Sequence, residues 1–236
     1  MNLILLEPDD LLAGGCRARL NGRRMRHVRD VHRAGEADEL RVGLVNGEMG
    51  RATIVRLEDD VLELDVHLDE PPPPPLPVTV LLALPRPKIL KRVLQGLTAM
   101  GVKSIYLMSS WRVEKSYWQS PVLQPEALRA QLLLGLEQGR DTQLPRVELR
   151  RLFKPFVEDE VPEIIGMSLP LVAHPEATRE CPRALAQPAT VAIGPEGGFI
   201  QYEIDLLTSH GFEAVSLGPR RLRVEQAMAA LLGRLY

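Results

Sequence analysis

Two patterns of apolar positions divide the chain at a run of prolines. Ahead of it, ELRVGLVNGEMGRATIVRLEDDVLELDVHL sets short, partly alternating apolar segments between turn dipeptides at Asn46-Gly47 and Asp59-Asp60. Such spacing predicts short strands closing into a small barrel, with little room for a catalytic pocket. Residues 1–70 are therefore read as a binding domain. The stretch DEPPPPPLP, Asp69 to Pro77, contains five consecutive prolines. It can be neither helix nor central strand, so residues 71–77 predict a stiff, extended linker.

Beyond the linker, residues 78–236 alternate strand and helix. VTVLLAL, Val78 to Leu84, is a continuous apolar run, as expected of a strand covered on both faces. Pro87 suits a first helical turn, and Ile89, Leu90, Val93, Leu94, Leu97 and Met100 follow at helical spacing up to a stop at Gly101. VKSIYLM is the next strand and residues 125–139 the next helix. Further strands are predicted at Val147–Leu152, Leu169–His174, Ala189–Ile193 and Phe212–Leu217, with helices over Ile200–His210 and Val224–Leu235. The fold class is α/β with a mostly parallel sheet.

Composition narrows the function. With 45% hydrophobic and 25% charged residues the chain reads as a globular protein, and no apolar run approaches the ~20 residues of a membrane helix. The start, MNLILLEPDD, has no basic leader, so the expected compartment is the cytoplasm and no membrane partner is expected. Cys16 and Cys181 stand alone as reduced thiols, and the five histidines fit no ligand spacing, so no metal is expected. Aromatic residues make up only 4%, which argues against base stacking as a major mode of nucleic-acid binding. Net charge is only −2, but it is unevenly distributed: seven arginines and one acid lie between Arg17 and Arg33. Seven more basic residues lie between Arg86 and Lys115, against Glu114 alone. Two such clusters are either solvated faces or a phosphate-binding surface.

The stretch AIGPEGGFI, Ala192 to Ile200, raises the question of a nucleotide cradle. A Rossmann fingerprint requires GxGxxG, whereas here Pro195 stands at the second position and offers no N–H. A phosphate-binding P-loop fails too, because no Lys-Ser/Thr follows the last glycine. A second turn, SLGPRRLRVEQA from Ser216 to Ala227, repeats the order strand, Gly-Pro, helix. Ligands in open α/β sheets lie outside the carboxyl ends of strands. The pair of turns is therefore either purely structural or the wall of a pocket for a flat, mostly uncharged ligand.

IGPEGGF, followed after a helix by LGPRRLRVEQA, resembles the signature of the RsmE family, the methyltransferases acting on N3 of a uridine in 16S ribosomal RNA. RHVRDVHRAGEADELRV, KILKRVLQGLTAMGVKSIYLMSS and LEQGRDTQLPRV resemble further family segments, so the resemblance covers nearly the whole chain. It implies a PUA-like barrel over residues 1–70. For residues 78–236 it implies a SPOUT methyltransferase domain whose C-terminal part is tied in a trefoil knot. It also implies S-adenosyl-L-methionine as methyl donor, the small ribosomal subunit as partner, and a homodimer packed through the methyltransferase domains. The implied donor site comprises Ala173, His174, Ile193, Gly194, Pro195, Glu196, Gly197, Gly198, Leu217, Gly218 and Leu222. The sequence departs from the family's LRTETA, with Val224 and Gln226 in place of the two threonines. It also has Thr98-Ala99-Met100-Gly101-Val102 where the family has a Lys and a Glu before the glycine.

The residues allow a sketch of the chemistry. Methylation at N3 requires loss of the N3–H proton and stabilisation of charge spread onto O2 and O4. Arg223 is the candidate clamp for that charge. Glu225 is a base, a partner for Arg223, or a charge favoured at a helix start. Glu196 either contacts the donor or caps the helix that follows it. The candidate RNA surface is Arg17, Arg19, Arg23, Arg24, Arg26 and Arg29, continued by Lys88, Lys91 and Arg92. Two other classes remain: a non-catalytic RNA-binding protein of the same fold and a nucleotide-dependent oxidoreductase.

Overall fold

Alternation along the first seventy residues builds a five-stranded sheet. In the computed structural model, which describes residues 2–236, β1 (Ile4–Leu6), β2 (Arg17–Leu20), β3 (Glu39–Leu44), β4 (Met49–Leu57) and β5 (Leu62–Glu70) pair in the order β1-β3-β4-β5-β2. The β1–β3 pair is parallel and the others are antiparallel. One helical segment, α1 (Gly22–His27), runs on through a wider turn to His32. Inward side chains from all five strands, with Met25 and Val28 of that segment, form one core. Each fully buried Val, Leu or Ile there contributes about 1.5–3 kcal/mol.

The compact unit built on this sheet comprises Met1–Pro74 and also Leu132–Leu144, although the later segment lies well past the prolines. The reason lies in β1, which is buried on both faces. Ile4 and Leu6 point into the core just described, while Leu3 and Leu5 pack with Val45, Leu133, Leu136 and Leu144. Thr142 secures the β3–β4 turn: its hydroxyl donates to the Gly47 carbonyl, and its own carbonyl accepts from Asn46 N–H. Gly43 has to be glycine, since a Cβ there would stand 2.5 Å from Thr142 Cγ2.

Pro75–Gln131 and Pro145–Tyr236 form the second unit. Its strands are β6 (Val78–Ala83), β7 (Ser104–Met108), β8 (Arg146–Arg150), β9 (Leu169–Ala173), β10 (Ala189–Ile193) and β11 (Glu213–Val215). All pair in parallel, in the order β11-β9-β10-β6-β7-β8. Every residue of β10, near the middle of the sheet, is buried. The longer helices are α2 (Pro87–Ala99), α3 (Pro125–Gly139, whose residues from Leu132 on belong to the first unit), α6 (Gln201–Ser209) and α7 (Val224–Leu235). Two short ones, α4 (Phe153–Pro155) and α5 (Val161–Ile165), flank a wider turn before β9. Leu90, Val93, Leu94 and Leu97 bury the face of α2 that the spacing predicts, but Met100 is 37% exposed. It lies one residue past the helix, where the chain turns through Gly101 at φ +87° and leaves the apolar stripe. No helix among the described residues is long and apolar enough to cross a membrane. No cluster of three His, Cys, Asp or Glu among them is placed to hold a metal.

Candidate active site

Parallel register brings the strand ends to one edge. Ala173 at the end of β9 lies opposite both Ile193 of β10 and Val215 of β11. The residues that follow these strands include the candidates His174, Gly194–Gly198, Leu217, Gly218 and Leu222. His174 N–H bonds the Val215 carbonyl at 2.9 Å, fixing the exit of β9 against that of β11. Helices α2, α6 and α7 begin on this edge, so their positive dipole ends face it.

The glycine loop is tight for reasons of its own. A Cβ on Gly194 would lie 2.9 Å from the Phe199 amide nitrogen, so the chain can double back only with glycine there. Gly198 takes φ +73° and closes a turn with its N–H on the Pro195 carbonyl. Glu196 does not cap the helix that follows: its exposed carboxylate accepts Arg86 N–H at 3.0 Å, at the start of α2. The start of α6 is held instead by Glu203, which is 2% exposed and accepts Ile200 N–H at 3.0 Å. The other oxygen of Glu203 accepts Trp111 N–H at 2.7 Å. The Arg112 guanidinium donates to the Gly197 carbonyl. The loop after β7 is thereby bound to the glycine loop, and within it the Ser110 hydroxyl is buried without a partner among the described residues.

The second turn is the more open of the two. Ser216 Oγ accepts Gly218 N–H at 3.2 Å, and Gly218 sits at φ +116° with no atom within 4 Å of where a Cβ would be. Among the described residues, the amides of Leu217, Arg220, Arg221 and Leu222 have no protein partner. Leu222 is 40% exposed. This is bare backbone beside an apolar side chain, suited to a flat ligand that is read through N–H and C=O groups rather than through charge.

Arg223 is the N-cap of α7, with an exposed side chain that makes no ion pair among the described residues. No bond joins it to Glu225. Its backbone N–H is taken by Gln226 Oε1 at 3.3 Å, and Val224 is buried. Gln226 thus supplies the cap at the helix start, and Val224 fills the core.

A family model described as an RNA methyltransferase domain matches residues 72–236, well over half of the chain. The chain belongs to the RNA methyltransferase family. It is 27% identical to the ribosomal RNA small subunit methyltransferase E of Treponema pallidum, over 98% of this chain and 88% of that one. Its fold is also that of the ribosomal RNA small subunit methyltransferase E from Neisseria gonorrhoeae bound to S-adenosyl methionine. That structure has TM-score 0.73 at 20% identity, covering 98% of this chain and 95% of that one. A methyltransferase from Legionella pneumophila in complex with the same cofactor has TM-score 0.73 at 23% identity, covering 98% and 94%.

The candidate RNA-binding residues of this methyltransferase separate into two groups. Arg19 pairs with Glu63, Arg29 with Asp30, and Arg24 with Asp10 and the Leu5 carbonyl. Arg23 grips both oxygens of Glu137, which is 3% exposed. Among the described residues Arg17 and Arg26 are exposed without an ion pair, and so are Lys88, Lys91 and Arg92 on one face of α2. Sequence reasoning missed the loop after β7. Trp111, Arg112 and their anchor Glu203 follow no motif, and the only available signal was that loops at carboxyl strand ends carry function.

Proposed function

We propose that the protein transfers a methyl group from S-adenosyl-L-methionine to N3 of a specific uridine in 16S ribosomal RNA. One observation carries this reading: two Gly-Pro turns, the second with open backbone, stand at aligned strand ends, on a fold shared with methyltransferases bound to that cofactor. The residues present suit the cofactor. Leu217, Leu222 and the free amides between them would hold an adenosine, with Gly194–Gly198, Ala173, His174 and Ile193 bordering the same space. The sulfonium supplies an electrophilic methyl group when bound.

The protein's own part is to position and to move one proton. Arg223, unpaired at the head of α7, stabilises the negative charge on O2 and O4 as N3–H is lost. Glu225, the second residue of the same helix and not paired with Arg223, is assigned as the base that takes the N3–H proton. We further infer a PUA-like barrel for the N-terminal region, supported by a core to which all five strands contribute. The trefoil knot is supported by the course of residues 174–188. Cys181 N–H bonds Ser216 and Leu185 N–H bonds Leu235, so this stretch spans both ends of the last loop-and-helix segment. A homodimer would cover the exposed Leu222, and the cytoplasm is where its RNA is met.

The test is primer extension on 16S RNA from cells with and without the gene. A stop that disappears on deletion identifies the methylated uridine, because N3 methylation blocks pairing. An unchanged pattern rejects the reading.

A further inference from the structure

We propose that Trp111 is a stacking platform for an unpaired RNA base beside the catalytic cleft, an inference that rests on the methyltransferase reading and names how its substrate is held. The indole is 79% exposed, although a side chain of that size is ordinarily buried. Its backbone, by contrast, is immobilised on both sides. Ser109 N–H bonds the Arg150 carbonyl at 2.9 Å, Trp111 N–H bonds buried Glu203 at 2.7 Å, and Val113 N–H bonds the Ser110 carbonyl at 3.1 Å. Arg112 is tied to the Gly197 carbonyl of the glycine loop. A rigid backbone that presents a solvated aromatic face is a preorganised contact.

The charge around the loop selects the partner. The Arg112 guanidinium reaches the glycine loop through its bond to the Gly197 carbonyl, and exposed Lys88, Lys91 and Arg92 lie on α2, whose start is joined to that loop by the bond from Arg86 backbone N–H to Glu196. Cations next to an exposed ring suit phosphate and base together, as in single-strand binding. Tyr202, 52% exposed on the first turn of α6 next to Glu203, adds a second aromatic face on that side of the loop. Base–aromatic stacking is sequence-tolerant, so Trp111 would hold a flanking or target nucleotide without choosing it.

The chain has two tryptophans, so Trp118→Phe leaves Trp111 as the sole indole reporter. Titration of that variant with short single-stranded oligouridylate is expected to quench its emission saturably. Trp111→Ala should raise the KM for RNA about tenfold with kcat and calorimetric S-adenosylmethionine affinity unchanged, and Trp111→Phe should restore KM to within about threefold. Absence of quenching, or an unchanged KM in Trp111→Ala, overturns the proposal. A KM defect seen only on assembled subunits, with no quenching by the oligonucleotide, assigns Trp111 to a ribosomal protein and also overturns it. Quenching in a protein that transfers no methyl group would keep the platform and reject the methyltransferase reading.

Discussion

The two basic stretches carry seven cations each, yet the structure uses them differently. Between Arg17 and Arg33, four arginines are committed to carboxylates, two of them in bidentate or part-buried pairs. On α2, Lys88, Lys91 and Arg92 stand exposed with no ion pair among the described residues. A paired arginine holds its own fold together and has little charge left for phosphate, whereas an unpaired surface lysine is free to release counterions on binding RNA. A count of cations in a sequence therefore overstates what the first region has left for phosphate.

The sharpest test of the contrast is Arg223, the exposed cation at the start of α7 to which we assign a role in the chemistry. Arg223→Ala should lower kcat by about 100-fold or more, with S-adenosylmethionine affinity by calorimetry kept within a few-fold. Turnover at the wild-type rate would remove the residue from the chemistry. For the committed group, Arg23→Ala leaves the buried carboxylate of Glu137 uncompensated. Breaking such a pair costs about 3–5 kcal/mol; because Arg23 is half in solvent, about 2 kcal/mol is expected by urea denaturation. The double variant with Glu137→Gln should recover part of that loss.

The α2 face is probed by changing Lys88, Lys91 and Arg92 together to alanine. RNA binding should weaken about tenfold in low salt, and the slope of log affinity against log salt should fall by about 2. The same measurement on Arg19→Ala should move the slope by much less, and an equal change would erase the distinction between the regions. The smallest effect concerns pH. Hydrogen bonds from Arg146 and Arg150 hold the Glu148 carboxyl below its ordinary range. Its contribution to stability is complete at neutral pH and is lost as pH falls through the acid range. Glu148→Gln should flatten that acid limb of the stability curve by less than about 1 kcal/mol.

Much of the second unit was legible in the sequence. VTVLLA and ATVAI are continuous apolar runs, and central parallel strands have to be apolar on both faces. Helix α7 spans Val224–Leu235 as its periodicity predicts. The two Gly-Pro turns could be read as a pair because each separates an apolar run from a helix. The first unit was less legible. Strands β1 and β2 are three and four residues long, too short for a period to register, and the arginines of β2 read as a charge cluster. The segment from Phe153 to Ile165, broken by a wider turn, carries too short a helical repeat to be assigned.

By itself, then, the sequence determined the α/β class and the pair of Gly-Pro turns between strand and helix, because local periodicity and turn chemistry are written along the chain. Only the tertiary structure decided that residues 132–144 pack with the first unit, through Leu133, Leu136 and Leu144 on the second face of β1. It also decided that Glu196 serves α2 and Glu203 the loop of Trp111. Those choices join residues about 90 to 140 positions apart, and no local pattern reports which distant groups will share a hydrogen bond or a core.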